Sequence, residues 1–202
     1  MKTYQKRGWV EVITGPMFAG KTEELLRRIK RMEYAKKNIV LFKPAMDTRY
    51  ESLDVTSHNH NRAQSVPIQE SREILEHVTK ETDVVGIDEV QFLDNNVVGI
   101  IDALADQGKR VILTGLDLDF RGEPFSMMPS IISKAEFVDK LTAICLHCGA
   151  PATRTQRIID GKPAKYYDPI VLIGASESYE ARCRACHKVH RKPKNINGLN
   201  HG

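Results

Sequence analysis

No stretch of this sequence is long and apolar enough to cross a membrane. A spanning helix needs about 20 consecutive apolar residues, and the longest apolar segments, such as 170–176, are strand-sized. An export signal is also missing: the N-terminus begins with positive charge, but Glu11 interrupts the apolar core that such a signal requires. The expected location is the cytoplasm. Internal repeats and low-complexity segments are absent, which excludes a repeat architecture. Neither charge sign is in large excess: 30 basic residues face 26 acidic ones, a formal net charge of +4, so composition alone does not point to nucleic acid. Cysteine is scarce, with four in all, and in a reducing compartment disulfides are not expected of them. The Asn-Lys-x-Asp guanine reader of GTPases is missing as well, which disfavours that class.

What remains is an ordinary globular composition, 41% hydrophobic and 28% charged over 202 residues. A chain of this length forms one large domain, or one domain with an appendage, and can bury about 70% of its unfolded surface. Strands are expected at 9–14, 38–42, 83–88, 110–114 and 136–141, and helices at 21–37, 71–78 and 95–107, the last stopped by Gly108. Uniformly apolar strands alternating with helices indicate an α/β domain with a central, mostly parallel sheet. Residues 45–69 are polar and long for a connection, which suggests a flexible lid. From Cys145 onward, cysteine pairs, glycine and proline replace the strand–helix rhythm. The expected division is therefore a P-loop α/β domain at 1–143, a small zinc-binding domain at 144–190, and a basic flexible tail at 191–202.

Gly15-Pro16-Met17-Phe18-Ala19-Gly20-Lys21-Thr22 fits G-x-x-x-x-G-K-[ST]. Glycines let the backbone curl so that N–H groups face phosphate oxygens, and the helix that follows adds its positive end. Lys21 is expected to reach the β- and γ-phosphates and the Thr22 hydroxyl to ligate Mg²⁺. Such a site needs further acids. The apolar run 84–87 ends in Asp88 and Glu89, at the strand edge where open α/β sheets bind ligands. Asp88 is expected to hold Mg²⁺ through water, and Glu89 to take a proton from an attacking hydroxyl or water. Together these motifs indicate a nucleotide hydrolase or phosphotransferase and leave the acceptor open.

Cys145-x-x-Cys148 and Cys183-x-x-Cys186 form two knuckles separated by 34 residues. Four thiolates can close a tetrahedral zinc site with no position left for chemistry, so the ion is expected to be structural. His147 and His187 lie beside the knuckles as alternative ligands. Zinc would tie the ends of a large loop and limit its freedom. Inside that loop, 170–175 is too apolar to be left in water; it is either a buried strand or a pocket lining.

The order of these motifs resembles the zinc-containing thymidine kinases, a family with a RecA-like P-loop domain and a zinc-clasped lasso. The resemblance runs from about Val10 to Cys186 and includes 15–22, Asp47-Thr48-Arg49-Tyr50, Asp88-Glu89-x-Gln91-Phe92, Phe120-Arg121-x-x-Pro124-Phe125, Gly174-Ala175 with Tyr179, and both knuckles. It implies transfer of the ATP γ-phosphate to the thymidine 5′-hydroxyl, with Glu89 as base and Arg49 stabilising charge at the transferring group. Asp47, Thr48 and Arg49 would sit in the lid, with Asp88, Val90 and Gln91 completing the ATP and Mg²⁺ site. Phe92, Phe120 and Tyr179 would enclose the thymine. Met17, Leu116 and Thr155 would shape the space beside its methyl group, and the backbone of Ile170, Val171, Leu172, Ile173 and Gly174 would read its edge. The resemblance also implies a homotetramer and feedback inhibition by thymidine triphosphate. Two rivals share several of these motifs: a nucleic-acid-dependent ATPase with a zinc ribbon, and a non-catalytic nucleotide-binding module. The first calls for basic residues interleaved with aromatics on the ribbon, whereas 170–176 is apolar and uncharged.

Overall fold

The computed structural model describes residues 8–45, 65–170, 177–191 and 193. Six strands form one parallel sheet: β1 (Trp9–Thr14), β2 (Ile39–Pro44), β3 (Ser65–Ile68), β4 (Val84–Ile87), β5 (Arg110–Gly115) and β6 (Phe137–Lys140), in the order β3-β2-β4-β5-β1-β6. β1 lies between β5 and β6, with Val12 opposite Leu113 on one side and Val138 on the other. The helices are α1 (Lys21–Tyr34), α2 (Ile74–His77), α3 (Val97–Asp106) and α4 (Met128–Lys134).

Side-chain alternation divides the core between the sheet's two faces. Val10 and Val12 of β1, Val85 and Ile87 of β4, and Val111 and Leu113 of β5 join Ile101 and Leu104 of α3 and Ile131 of α4. Their neighbours Ile13, Val84 and Ile112 turn the other way and meet Leu25 and Ile29 of α1. Both faces are covered, so the strands read as unbroken apolar runs. Gly86 sits on the α1 face, where a Cβ would lie 2.7 Å from Leu41 Cδ1 and 3.3 Å from Ile29 Cδ1. Glu11 is the charged exception in β1. It is buried and accepts hydrogen bonds from Arg110 (2.6 Å), Trp9 Nε1 (2.6 Å) and Arg28 (2.7 Å). Burial opposes its ionisation, but these donors outweigh it and hold its pKa below the usual carboxylate range.

Two elements were hidden in the sequence. Residues 45–69 read as one connection, yet β3 occupies its end, with Ile68 fully buried. Pro67 masked it: proline removes a ladder donor, and only the edge position of β3 tolerates that loss. α4 is a seven-residue helix with proline in its first turn, too short to show a period. The helix expected over 71–78 is a 3₁₀ turn (Ser71–Glu73) running into the single turn of α2.

After β6 the strands become short and antiparallel. β7 (Ala143–Ile144) pairs with β8 (Pro151–Ala152), and β9 (Arg154–Ile159) lies between β10 (Lys162–Pro163) and β11 (Glu177–Arg182). The apolar segment beyond Ile170 lies outside the described residues, as does most of the basic tail. Among the described residues, no helix is long and apolar enough to cross a membrane.

Ile29→Ala should lower the unfolding free energy by about 2–5 kcal/mol, because it empties the space between α1 and the sheet. Gly86→Val should cost about 1–3 kcal/mol by overfilling the same space. Urea denaturation checks both, and an unmoved midpoint in either variant contradicts this packing.

Candidate active site

β1 ends between β5 and β6, and the phosphate loop 15–20 follows it directly. Gly15 adopts φ +139°, and a Cβ there would lie 2.4 Å from the Leu141 carbonyl oxygen, so no other residue fits. Gly20, at φ +79°, opens α1. Lys21 is buried in the first turn, and its Nζ donates to the Pro16 carbonyl at 2.9 Å. Phe18 stands out from the loop, exposed and at positive φ. The Thr22 hydroxyl lies 3.2 and 3.1 Å from the two carboxylate oxygens of Asp88, so helix and strand bring the expected metal-binding pair together.

Asp88 follows β4, and its N–H donates to the Phe42 carbonyl at 3.0 Å. The Thr114 hydroxyl, at the end of β5, donates to the Asp88 carboxylate and accepts the Glu89 N–H at 3.2 Å. Glu89 itself is left-handed, at φ 52° and ψ 42°, a strained conformation for a residue with a side chain. Gln91 is buried. Its Nε2 donates to Glu89 Oε2 at 2.5 Å, while its Oε1 accepts the Leu116 N–H at 3.2 Å. The amide thus ties the Glu89 carboxylate to the chain leaving β5. Val90, between them, packs in the apolar core.

Burial raises the pKa of Glu89, and the neighbouring Asp88 raises it further, against opposition from Lys21 and Gln91. Burial lowers that of Lys21, opposed by Glu89 and Asp88. A carboxylate with raised proton affinity is a better proton acceptor, and a dehydrated lysine beside it is ready to meet anionic oxygen.

The other expected site residues converge only in part. The Met17 N–H donates to Thr155 Oγ1 at 3.1 Å, joining the phosphate loop to β9. Leu116 and Phe120 are buried near the end of β5, and Phe92 packs edge-on to Phe125 with centroids 5.7 Å apart. Tyr179 lies in β11 opposite Arg157 of β9. Ile170 is part-exposed. Asp47, Thr48, Arg49, Val171, Leu172, Ile173 and Gly174 lie outside the described residues. The sequence reading missed Thr114 and the bridging bonds of Gln91. For Thr114 the sequence offers only a polar residue after the apolar run Val111-Ile112-Leu113, which does not reveal what the hydroxyl meets.

The four cysteines meet as their spacing requires. Their sulfurs all lie within 4.8 Å of one another, with Cys148 and Cys183 3.7 Å apart. A tetrahedral Zn–S bond of about 2.3 Å demands sulfurs about 3.8 Å apart, so the cluster fits zinc. The two knuckles are tied through Leu146, whose N–H donates to the Ala181 carbonyl at 3.1 Å. Around Cys145, dehydration opposes ionisation but backbone donors from Cys183, His147 and Cys148 prevail, lowering its pKa to about 6. His147 Nδ1 lies 3.5 Å from Cys186 Sγ, beside the sulfur cluster.

A parallel P-loop sheet bearing this lysine, this hydroxyl–carboxylate pair and a half-buried second acid is built for phosphoryl transfer to or from a nucleotide. Which transfer is decided by comparison: a family model described as thymidine kinase matches residues 8–187. The chain belongs to the thymidine kinase family, and thymidine and ATP are the substrates that membership implies.

Two outcomes follow from this geometry. Folded Glu89 keeps its proton to higher pH than unfolded Glu89, so it weakens the fold progressively as pH rises from its ordinary value of 4.5 through the raised one. Glu89→Gln should match the parent's unfolding midpoint in acid and exceed it at neutral pH; midpoints that stay equal throughout contradict the raised proton affinity of Glu89. Elemental analysis should find one zinc per chain. Cys183→Ser should lose that zinc and speed amide exchange in β7, β8 and β11; full zinc content with unchanged exchange contradicts the clasp.

Proposed function

We propose that this chain is an ATP:thymidine 5′-phosphotransferase, yielding thymidine monophosphate and ADP. The observation that carries the reading is Glu89: a carboxylate of raised proton affinity, held by Gln91 at the sheet edge beside Lys21 and Asp88. The thymidine 5′-oxygen attacks the γ-phosphorus, the bond to the β,γ-bridging oxygen breaks, ADP departs, and the 5′-hydroxyl proton goes to Glu89. Lys21 exchanges its Pro16 carbonyl for phosphate oxygen, joined by backbone N–H groups of 18–20. Thr22 and Asp88 would hold the Mg²⁺ that accompanies ATP, and that ion would neutralise phosphate charge. Gln91 aims Glu89, and Val90 anchors the turn from the core. Asp47, Thr48 and Arg49 belong to the lid at 45–64, with Arg49 meeting charge on the transferring group.

The nucleoside lies against 144–190, the zinc-clasped lasso, between Phe92, Phe120 and Tyr179. Met17, Leu116 and Thr155 shape the space beside the 5-methyl group; the bond between Met17 and Thr155 supports that grouping. The backbone of 170–174 takes the base edge. The reading further includes a cytoplasmic homotetramer, feedback by thymidine triphosphate, a basic tail at 191–202, and no nucleic-acid partner.

A coupled assay tests the reading: ADP should appear when thymidine is added to enzyme and Mg·ATP, and not when single-stranded DNA is added. The reverse result would install the nucleic-acid-dependent ATPase in its place. Glu89→Gln should reduce kcat by about 10²-fold or more, the scale of general base catalysis, with thymidine KM little changed. Turnover near the parent's would remove Glu89 from the chemistry.

A further inference from the structure

Arg157 has no exposed surface at all, and no step of the phosphoryl transfer uses it. It lies in β9, the middle strand of its sheet. Strand alternation puts Thr155 and Arg157 on one face and Gln156 on the other. Gln156 faces the segment after the second knuckle, accepting the Lys188 N–H and donating to the Lys188 carbonyl, both at 2.8 Å. Thr155 meets the phosphate loop at Met17. Arg157 meets Phe120, its guanidinium carbon 5.2 Å from the ring centroid, within cation–π range. Its Nη1 also donates to the Pro169 carbonyl and lies 3.4 Å from that of Ile170.

We infer that Arg157 is a positioning residue for the nucleoside: it sets the Phe120 ring and the Pro169 and Ile170 carbonyls in one arrangement. The inference rests on Phe120 being a wall of the thymidine site. Volume alone does not call for an arginine here, because an apolar side chain of the same size is cheaper to bury. What a guanidinium adds is a flat cation to lie against a ring, together with donors that reach carbonyls from the same plane; a lysine supplies the charge without the plane. Phe120 needs such a partner because its backbone is held separately, its carbonyl accepting His187 Nε2–H at 2.9 Å. That bond anchors the main chain to the second knuckle, while the ring lies against two guanidinium groups, the fully buried Arg157 at 5.2 Å and the part-exposed Arg121 at 5.9 Å. Two residues on one face of β9 then meet the nucleoside site at two places: Thr155 bonds Met17 beside the space for the methyl group, and Arg157 touches the Phe120 wall.

The test uses the full zinc-loaded chain and the variants Arg157→Met and Arg157→Lys, with zinc content and unfolding midpoint measured on each. Arg157→Met should raise thymidine KM about tenfold, the worth of a desolvated cation–π contact, while ATP KM and kcat at saturating thymidine stay within about twofold. Arg157→Lys should fall between the parent and Arg157→Met. Thymidine KM unchanged in both variants overturns the inference. So does a loss shared equally by ATP KM, thymidine KM and zinc content, which marks a general loosening of the fold. If Arg157→Met does not fold, Arg157→Lys decides by the same split: a selective rise in thymidine KM supports the inference, and its absence overturns it. A parent enzyme with no thymidine-dependent ADP release would instead sink the functional reading on which the inference stands.

Discussion

One hydroxyl sets the geometry of the cleft. Thr114 ends β5, donates to the Asp88 carboxylate and accepts the Glu89 N–H. A single oxygen therefore fixes both acids to a strand other than their own. Without that acceptor, the left-handed turn at Glu89 would be strain with little to hold it. With it, and with Gln91 bonded to both the Glu89 carboxylate and the Leu116 N–H, the strained residue is determined from two directions. The parallel pairing of β4 with β5 makes this possible, because it brings both strands to the same edge of the sheet.

Charge in that cleft is costly to bury, and the cost is put to use. Lys21 and Asp88 are nearly enclosed, and Glu89 is drawn toward its protonated form. The buried Glu11 makes an instructive contrast. It too is a carboxylate inside the sheet, but Arg110, Trp9 and Arg28 saturate it and lower its pKa. One acid is satisfied by its donors; the other is left with raised proton affinity, as the proposed general base requires. Environment, rather than residue type, separates the two roles.

Among the contacts by which the small sheets meet the phosphate domain, two are hydrogen bonds to its backbone. Thr155 bonds the backbone of the phosphate loop, and the histidine after the last cysteine bonds the Phe120 carbonyl. A zinc ion held by the four cysteines would fix the chain from which His187 projects, and through it the Phe120 backbone. A closed site of four thiolates suits this role, since it offers rigidity without an open coordination position.

The phosphate loop, the paired acids and the two knuckles were legible in the sequence because each depends on residues a few positions apart, and local spacing survives folding unchanged. Most of the parallel sheet was legible too, since strands covered on both faces must be apolar throughout. β3 was not, because its proline is acceptable only at a sheet edge, and being at the edge is a property of the assembled sheet. Thr114, the bridging bonds of Gln91 and the ring contact of Arg157 were equally out of reach. Each joins residues far apart in the chain, and whether a threonine or arginine is a ligand, a brace or surface depends on what the fold sets against it. Short-range spacing thus settles which chemical groups this protein carries and the turns that present them. Which distant side chain holds each group in place is settled only in the assembled sheet, because strand order and burial make that choice.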